Sequence, residues 1–543
     1  MGRTLLLLLV AAATSACGGE PPAPLPPSAP VVDRSPADRP AGTLAELTFD
    51  GGDAALSALI AQLPPTPMRA ALPNRVATLL DGLIETPSEI RSRVSSGSPI
   101  RLVMARIDGE LRSALVVRLD EPVPTSSHRG DGPRGSDRVG EHAAVDDRIA
   151  VVSDDGTMLD RSFAYLAYTA LARASTEGEI VVIAPASTVA TTVRTGLEQM
   201  VRDRRGSLLA SVAAARAAHD RPPDLGDPEA LVTLLADALL ARLAYLPDLG
   251  DATLTLARTP SGLALTIEAS VTQGSPLADA LSMRRPVASR LVSAMPSSAA
   301  LVIATGTTAA ARTATEGELA ETLAAIGGAR VTASERMGLE QASGAIAAIR
   351  GDEAAFGLGA TETDGILALT LTRGGTDTAA PMPWGRAFPW TSQLLATLAG
   401  CTATSARPSA TAPVVCNDVS LATRAGDGAR ADAIGRNAAA LAESAHASLA
   451  ADTPASSPDL ARDLAALPSA VFAIVLARPL RALPLLVALG GPPRAGLPRG
   501  DGAIVLAFAY DAARLSIVLR ASSSAMADLA VVQGLFAEES ESE

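Results

Sequence analysis

The chain contains no lysine, so all 45 of its basic residues are arginine. That absence excludes Schiff-base catalysis, a phosphate-loop lysine and a Ser-Lys dyad, each of which needs an ε-amine. Aromatic residues fill only 2% of the 543 positions. With 48% hydrophobic residues the chain can still bury a large core, but that core has to be built from Ala, Leu, Val and Ile. There are four histidines, no G-x-S-x-G and no H-E-x-x-H, which leaves hydrolytic chemistry without a motif. No basic run offsets the net charge of −13, which argues against a phosphate-contacting nucleic-acid surface and against adsorption on anionic bilayers. His128 and His142 bracket Asp131, Asp137 and Glu141, with Asp146 and Asp147 close behind. Their spacing matches no metal-ligand pattern, and a polar, glycine-rich loop must be ordered before it can chelate. The expectation is a non-enzyme with no catalytic residue, no metal and no cofactor.

What the sequence does contain begins with "LLLLLVAAATSACGGEPPAPLPP". A single arginine, Arg3, precedes the apolar run from Leu5 to Ala13, which ends in small residues. This is the order of a secretory signal peptide, and the run is shorter than the roughly 20 residues a spanning helix needs. Thr14, Ser15, Ala16 and Cys17 resemble the lipobox of bacterial lipoproteins, although Thr14 stands where that family usually has an aliphatic residue. The resemblance implies cleavage after residue 16, acylation of Cys17 as a membrane anchor and, because Gly18 follows, sorting to an outer membrane facing the periplasm. Ordinary secretion with cleavage near Ala16 is the alternative. Residues 17–42 read as a proline-rich tether, in which proline density favours extended polyproline segments.

Cys401 and Cys416 are then left as a pair in an oxidising compartment. With no histidine near either thiol, a disulfide is preferred to a metal site, and closing this loop would contribute about 3 kcal/mol.

A recurring plan organises the body. "GDATLTLARTPSGLALTIEAS" from Gly250, "GDEAAFGLGATETDGILALTLTR" from Gly351 and "GDGAIVLAFAYDAARLSIVLR" from Gly500 each read as a β-hairpin. Lone strands precede them from Glu179, Ala299 and Val471, the last two entered through "AMPSSA" and "ALPSAV", where Pro296 and Pro468 end a helix. A diverged copy covers about 44–119, with a type I′ turn expected at Asp108 and Gly109. The expected fold is α+β, with repeated strand-helix-hairpin-helix units forming largely antiparallel sheets backed by helices. The expected divisions are a signal peptide 1–16, the tether 17–42, αβ units 43–120, 148–275, 276–374 and 457–537, and an acidic tail 538–543. A mobile polar loop 121–147, an appended hairpin at 148–160 and a linker with a disulfide-bearing helical segment 375–456 complete them.

Two strands carry information about faces. Phe356, Leu358 and Ala360 alternate with Ala355, Gly357, Gly359 and Thr361, and the glycine stripe is expected to admit a packed helix more readily than a ligand. In the last hairpin Ala503, Val505 and Ala507 oppose Ile504, Leu506 and Phe508, so both faces are apolar and each needs a cover, either protein or a bound apolar molecule.

The remaining candidates each have a structural reading. Arg-Gly-Asp occurs at 129–131, 350–352 and 499–501, two of them at hairpin entries where Gly and Asp serve turns. His219 ends a helical pattern, and His446 is expected on a helix surface. Phe163, Tyr165 and Tyr168 read as helix packing. Trp384, Phe388 and Trp390 concentrate scarce aromatics in one proline-bounded loop, as a core cap or as a partner-binding anchor.

The whole resembles envelope lipoproteins of GC-rich, myxobacteria-like bacteria. That resemblance rests on composition and repeat style and implies no activity; the anchor, the tether and the repeated units point to a membrane-anchored, non-catalytic binding or scaffolding lipoprotein whose partner is an envelope protein or an apolar ligand. A lipid carrier is the alternative, and a degenerate hydrolase the weaker one.

Overall fold

The computed structural model describes residues 32–63, 75–124, 131–172, 180–218, 228–314, 351–361, 365–374, 420–451, 457–484 and 500–542, with a few single positions between them. The fold is α+β, and every strand pair is antiparallel. Two compact units divide the chain, one of residues 1–188 with 251–260, the other of 189–250 with 261–543.

The first unit contains β1 (Thr43–Phe49), β2 (Ile100–Ile107), β3 (Glu110–Arg118), β4 (Asp137–Arg138), β5 (Ala143–Asp146), β6 (Ile149–Ser153), β7 (Ile180–Ala184) and β8 (Leu249–Arg258). Their order across the sheet is β4-β5-β6-β3-β2-β1-β7-β8. The run "IRLVMARI" of β2 explains how the sheet is covered. Leu102 points with Leu115 and Val117 into a core shared with helices α1 (Gly52–Ala61) and α2 (Val76–Leu83). Val103 and Ala105 point the other way, onto α3 (Gly156–Ala164) and the π-helix Tyr165–Ala170 that continues it. A near-continuous apolar strand is buried on both faces because alternation then serves two cores. The β2–β3 turn is the expected tight one, with Asp108 and Gly109 both at positive φ and Ile107 paired to Glu110.

Three expectations are corrected here. The hairpin at 148–160 is instead β5–β6, turning at Asp147, because the side chain of Asp155 accepts a hydrogen bond from Met158 N and starts a helix. Within the loop 121–147, expected to be mobile, residues 131–147 form strands β4 and β5 and pack on the body. Ala143, Ala144 and Val145 are buried there, alternating between the two cores. The segment from Gly250 does not close as a hairpin: β8 pairs with β7, whereas the strand after Pro260 pairs in the second unit, where Ser523 N donates to Ser261 O at 2.7 Å.

The proline-rich stretch also ends on the body rather than at residue 42. Arg34 forms a two-point ion pair with Asp146 at 2.7 Å, and Tyr168 donates to the same carboxylate at 2.9 Å. Ala37 N donates to Thr169 Oγ1, which donates back to Ala37 O. Arg39 reaches Glu46 at 3.0 Å, a buried carboxylate that also accepts from Tyr165 Oη at 2.8 Å. Residues 33–40 are thus a strap across the π-helix. Arg34 holds Asp146 below the ordinary carboxylate range. The strap's ion pair is therefore fully formed above about pH 4 and is lost only as pH falls through that depressed value. Hydrogen exchange of residues 33–40 should stay constant from pH 7 to about pH 4 after correction for intrinsic rates, and then rise. In Asp146→Asn it should already be fast at pH 7, and an unchanged variant would contradict the pairing.

The second unit holds β9 (Gly262–Val271), β10 (Ala299–Gly306), β11 (Glu353–Thr361), β12 (Gly365–Arg373), β13 (Ser420–Gly426), β14 (Ala429–Gly435), β15 (Val471–Ala477), β16 (Ile504–Asp511) and β17 (Arg514–Ser522). Its sheet order is β13-β14-β12-β11-β10-β15-β16-β17-β9. One face carries the core: Val302, Ala304, Ala355, Leu369, Ala431, Leu476 and Val505 pack with helices α4 (Arg290–Ser293), α5 (Ala438–Ala450) and α6 (Pro458–Ala465). Helix α5 contributes Ala438, Ala442, Ala445 and Leu449, a helical stripe of small residues that lets it sit close to the sheet. Helix α6 is capped by Ser457, which accepts from Leu460 N, and opens with Pro458. The glycine stripe of β11 receives the chain just after α4: a Cβ on Gly357 would lie 2.8 Å from Met295 Sδ, and one on Gly359 would strike the Ser298 carbonyl.

Candidate functional surface

The opposite face of this second sheet is the candidate site. Strand alternation sends Leu301 and Ile303 of β10, Phe356 and Leu358 of β11, Val475 of β15, Ile504, Leu506 and Phe508 of β16, Ile517 and Leu519 of β17, and Leu265 and Ile267 of β9 to that side. None of these is buried: Ile303 is 38% and Phe356 40% exposed, and the rest are half-buried. Their strand neighbours Val302, Ala355, Leu476 and Val505 are almost wholly buried on the core side. A bulge between Val471 and Ala473 brings Phe472 beside Phe508, with ring centroids 6.4 Å apart.

Register aligns these side chains into rows across the sheet. One runs Leu265, Leu519, Leu506, Val475, Ile303, Phe356 and then changes character to Thr370, Asp432, Thr423. The polar end is sealed. Arg430 and Asp432, 0% and 1% exposed, form a two-point ion pair at 2.7 and 2.9 Å, and Thr423 donates to Asp432 Oδ1 at 2.6 Å. The apolar part contains no charged side chain, and its hydroxyls are Thr305 and Tyr510 at the margins. Just beyond β15, burial pulls the Arg478 guanidinium down to about 10, and it donates to Ala299 O at 2.7 Å, fastening β15 to β10.

This surface combines strands distant in sequence. Only its β16 segment was legible, from the doubly apolar "AIVLAF", and among the described residues the requirement for a cover on both sides is met by protein on one side. Of its remaining strands, β15 "VFAIVLA" is apolar throughout, and the others look amphipathic or small-residue-rich when read singly.

Cys17, Cys401, Cys416, Trp384, Phe388, Trp390, His128 and His219 lie outside the described residues. Asp146, read among metal-capable groups, is instead engaged by Arg34 and Tyr168, and His142 reaches only Glu141, at 4.0 Å, with both residues exposed. Among the described residues no group of three metal-capable side chains occurs, and no helix is long and apolar enough to cross a membrane. His446, expected on a helix surface, is buried and hydrogen-bonded to Gly426 O at 3.1 Å, because α5 lies against the β13–β14 hairpin on that side. At the hairpin entries Asp352 pairs with Arg312 and Arg285, and Asp501 with Arg481. Phe163, Tyr165 and Tyr168 do pack, but the two tyrosine hydroxyls also hold the buried or part-buried carboxylates beneath the strap.

No family model matches the chain, and no curated protein matches it. Among solved structures, crystal forms I and III of TP0453 match at 12% and 11% identity, over 44% of this chain and 78% and 82% of that one, each with a TM-score of 0.20. Likeness at that level carries no argument about fold or function.

Proposed function

We propose that this protein is a membrane-anchored envelope lipoprotein with a non-catalytic binding role, and that the open apolar face of its second sheet is the contact surface. The observation that carries this reading is a row of six apolar residues on six adjacent strands, uncharged and covered by no described element, in a chain whose other sheet is covered on both faces. Exposed apolar patches of this extent mark interaction sites in soluble domains. Cys17 supplies the anchor and residues 18–32 the spacer, with the strap joining that spacer to the first unit.

The units are read as four copies of one lone strand followed by two further strands, which close as a hairpin in three copies and pair apart, as β8 and β9, in the copy from Glu179. This is supported by the pairing of each lone strand with the strand that follows its helices, in β1·β2, β7·β8, β10·β11 and β15·β16. It is also supported by the pairing of the lone strands two by two, in β1·β7 and β10·β15.

The test is a photoreactive benzoylphenylalanine at position 506, irradiated in intact cells. A discrete adduct at position 506, absent with the same label at exposed Arg462 of α6, is expected, and it should disappear when Cys17→Ser releases the protein from the membrane. No adduct at position 506 would sink the binding reading.

A further inference from the structure

We infer that the occupant of the open face is the hydrocarbon chain of a single membrane lipid, lying across the strands with its polar end toward Thr370. The inference rests on the binding reading above and names its ligand class.

Three observations on the face favour a hydrocarbon over a protein. The first is size. Six strands at about 4.8 Å spacing, each presenting roughly 20 Å of length, give an area of about 500 Å². A stable dimer or complex needs about 800 Å² from each partner. The second is chemistry. Protein interfaces average about one hydrogen bond per 100–200 Å² and use Tyr, Trp and Arg as anchors. This surface is mainly aliphatic, with Phe356, Phe472 and Phe508 among the aliphatic side chains, marginal hydroxyls on Thr305 and Tyr510, and no Trp, Arg or other charged side chain. A methylene chain asks for neither hydrogen bonds nor charge.

The third observation is direction. The rows run perpendicular to the strands, and the row Leu265, Leu519, Leu506, Val475, Ile303, Phe356 is flanked by Ile267, Ile517, Phe508, Ala473 on one side and by Leu263, Ala521, Ile504, Ala477, Leu301, Leu358 on the other. Adjacent rows are two residues apart along each strand, about 6.8 Å, so they form shallow furrows of chain width. The furrow between the central row and the Leu263–Leu358 row is apolar from β9 to β11, whereas the other meets the Thr305 hydroxyl on β10. On the central row the residue on β12 is Thr370, a part-exposed hydroxyl. A furrow that is apolar for six strands and polar at the seventh has the polarity of an acyl chain with its head at one end. A bilayer surface does not fit as well, because the described strands place no exposed basic side chain on this face and the chain carries a net charge of −13.

The full chain carrying Cys17→Ser, incubated with palmitic acid bearing a diazirine either at the ω end or near the carboxyl group, tests both occupant and direction. The ω probe should label peptides of β9 and β17, and the carboxyl-end probe those of β11 and β12. Excess unlabelled palmitate or lysophospholipid should compete with both. Ile303→Gln and Leu506→Gln should each weaken labelling about tenfold while the unfolding midpoint moves by no more than about 2–4 °C. The pair guards against one variant failing to fold.

Labelling scattered over other peptides, labelling that does not saturate, or labelling seen only when anionic vesicles are added would overturn the inference. So would a dimer, found by sedimentation, that Leu506→Gln dissociates. An adduct at position 506 in cells with no palmitate labelling would reject the lipid while leaving the binding surface standing. Absence of both would reject the binding surface itself.

Discussion

Asp432→Ala is expected to destabilise the second unit by about 3–5 kcal/mol. Arg430 is wholly buried, and two of its guanidinium nitrogens rest on the Asp432 carboxylate, which is itself fixed by Thr423 and buried. Removing the carboxylate takes the two-point partner from a cation in a site that water does not reach, and with it a large part of what offsets that cation's desolvation cost. Replacing both residues with leucine should by contrast be near neutral, since a buried ion pair often contributes little beyond a well-packed apolar pair. Urea unfolding of the single and double variants measures the difference. Equal losses in both would mean that the pair contributes more than the relief of an unpaired charge.

Leu476→Ala and Leu506→Gln should differ sharply although their strands are neighbours. Leu476 lies in the packed core beneath the helices, and its truncation should cost about 2–5 kcal/mol, the transfer and cavity terms together. Leu506 lies one register position away, opposite Val475, with its side chain on the open face. Its replacement by glutamine should cost about 1 kcal/mol or less, because the amide stays in contact with water. The test is chemical denaturation of each variant, read through the midpoint with the slope held in view. A large loss at Leu506 would mean that the face is covered in solution by protein, which would remove it as a binding surface.

Local signals were readable wherever they depended on neighbours in sequence. Asp108 and Gly109 specify their tight turn because both residues tolerate positive φ. The Pro-Ser segments at 296 and 468 stand between helix and strand because proline cannot continue the helix. The alternation in "AAFGLGAT" predicts which side chains share a face, and Met295 and Ser298 fill the glycine side. Errors arose where a partner lay far along the chain. Residues 131–147 look like a solvated loop until Arg34, more than a hundred residues earlier, neutralises Asp146 and three small apolar residues enter the cores. The strands from Gly250 look like a hairpin because hairpins are the cheapest pairing for adjacent strands, yet their partners are β7 and β17.

By itself, then, the sequence determined composition-level chemistry: no amine for Schiff-base or phosphate-loop work, a core of aliphatic residues, antiparallel α+β architecture, and a lipobox-like start. These follow from residue types and short periodicities, which are local properties. Only the tertiary structure decided that β9, β17, β16, β15, β10 and β11 stand side by side in that order, and so that their half-buried and exposed apolar side chains form one uncharged surface. Each strand's pattern fixes which residues share a face, but long-range register fixes which faces join, and helices α4, α5 and α6 pack against the core side.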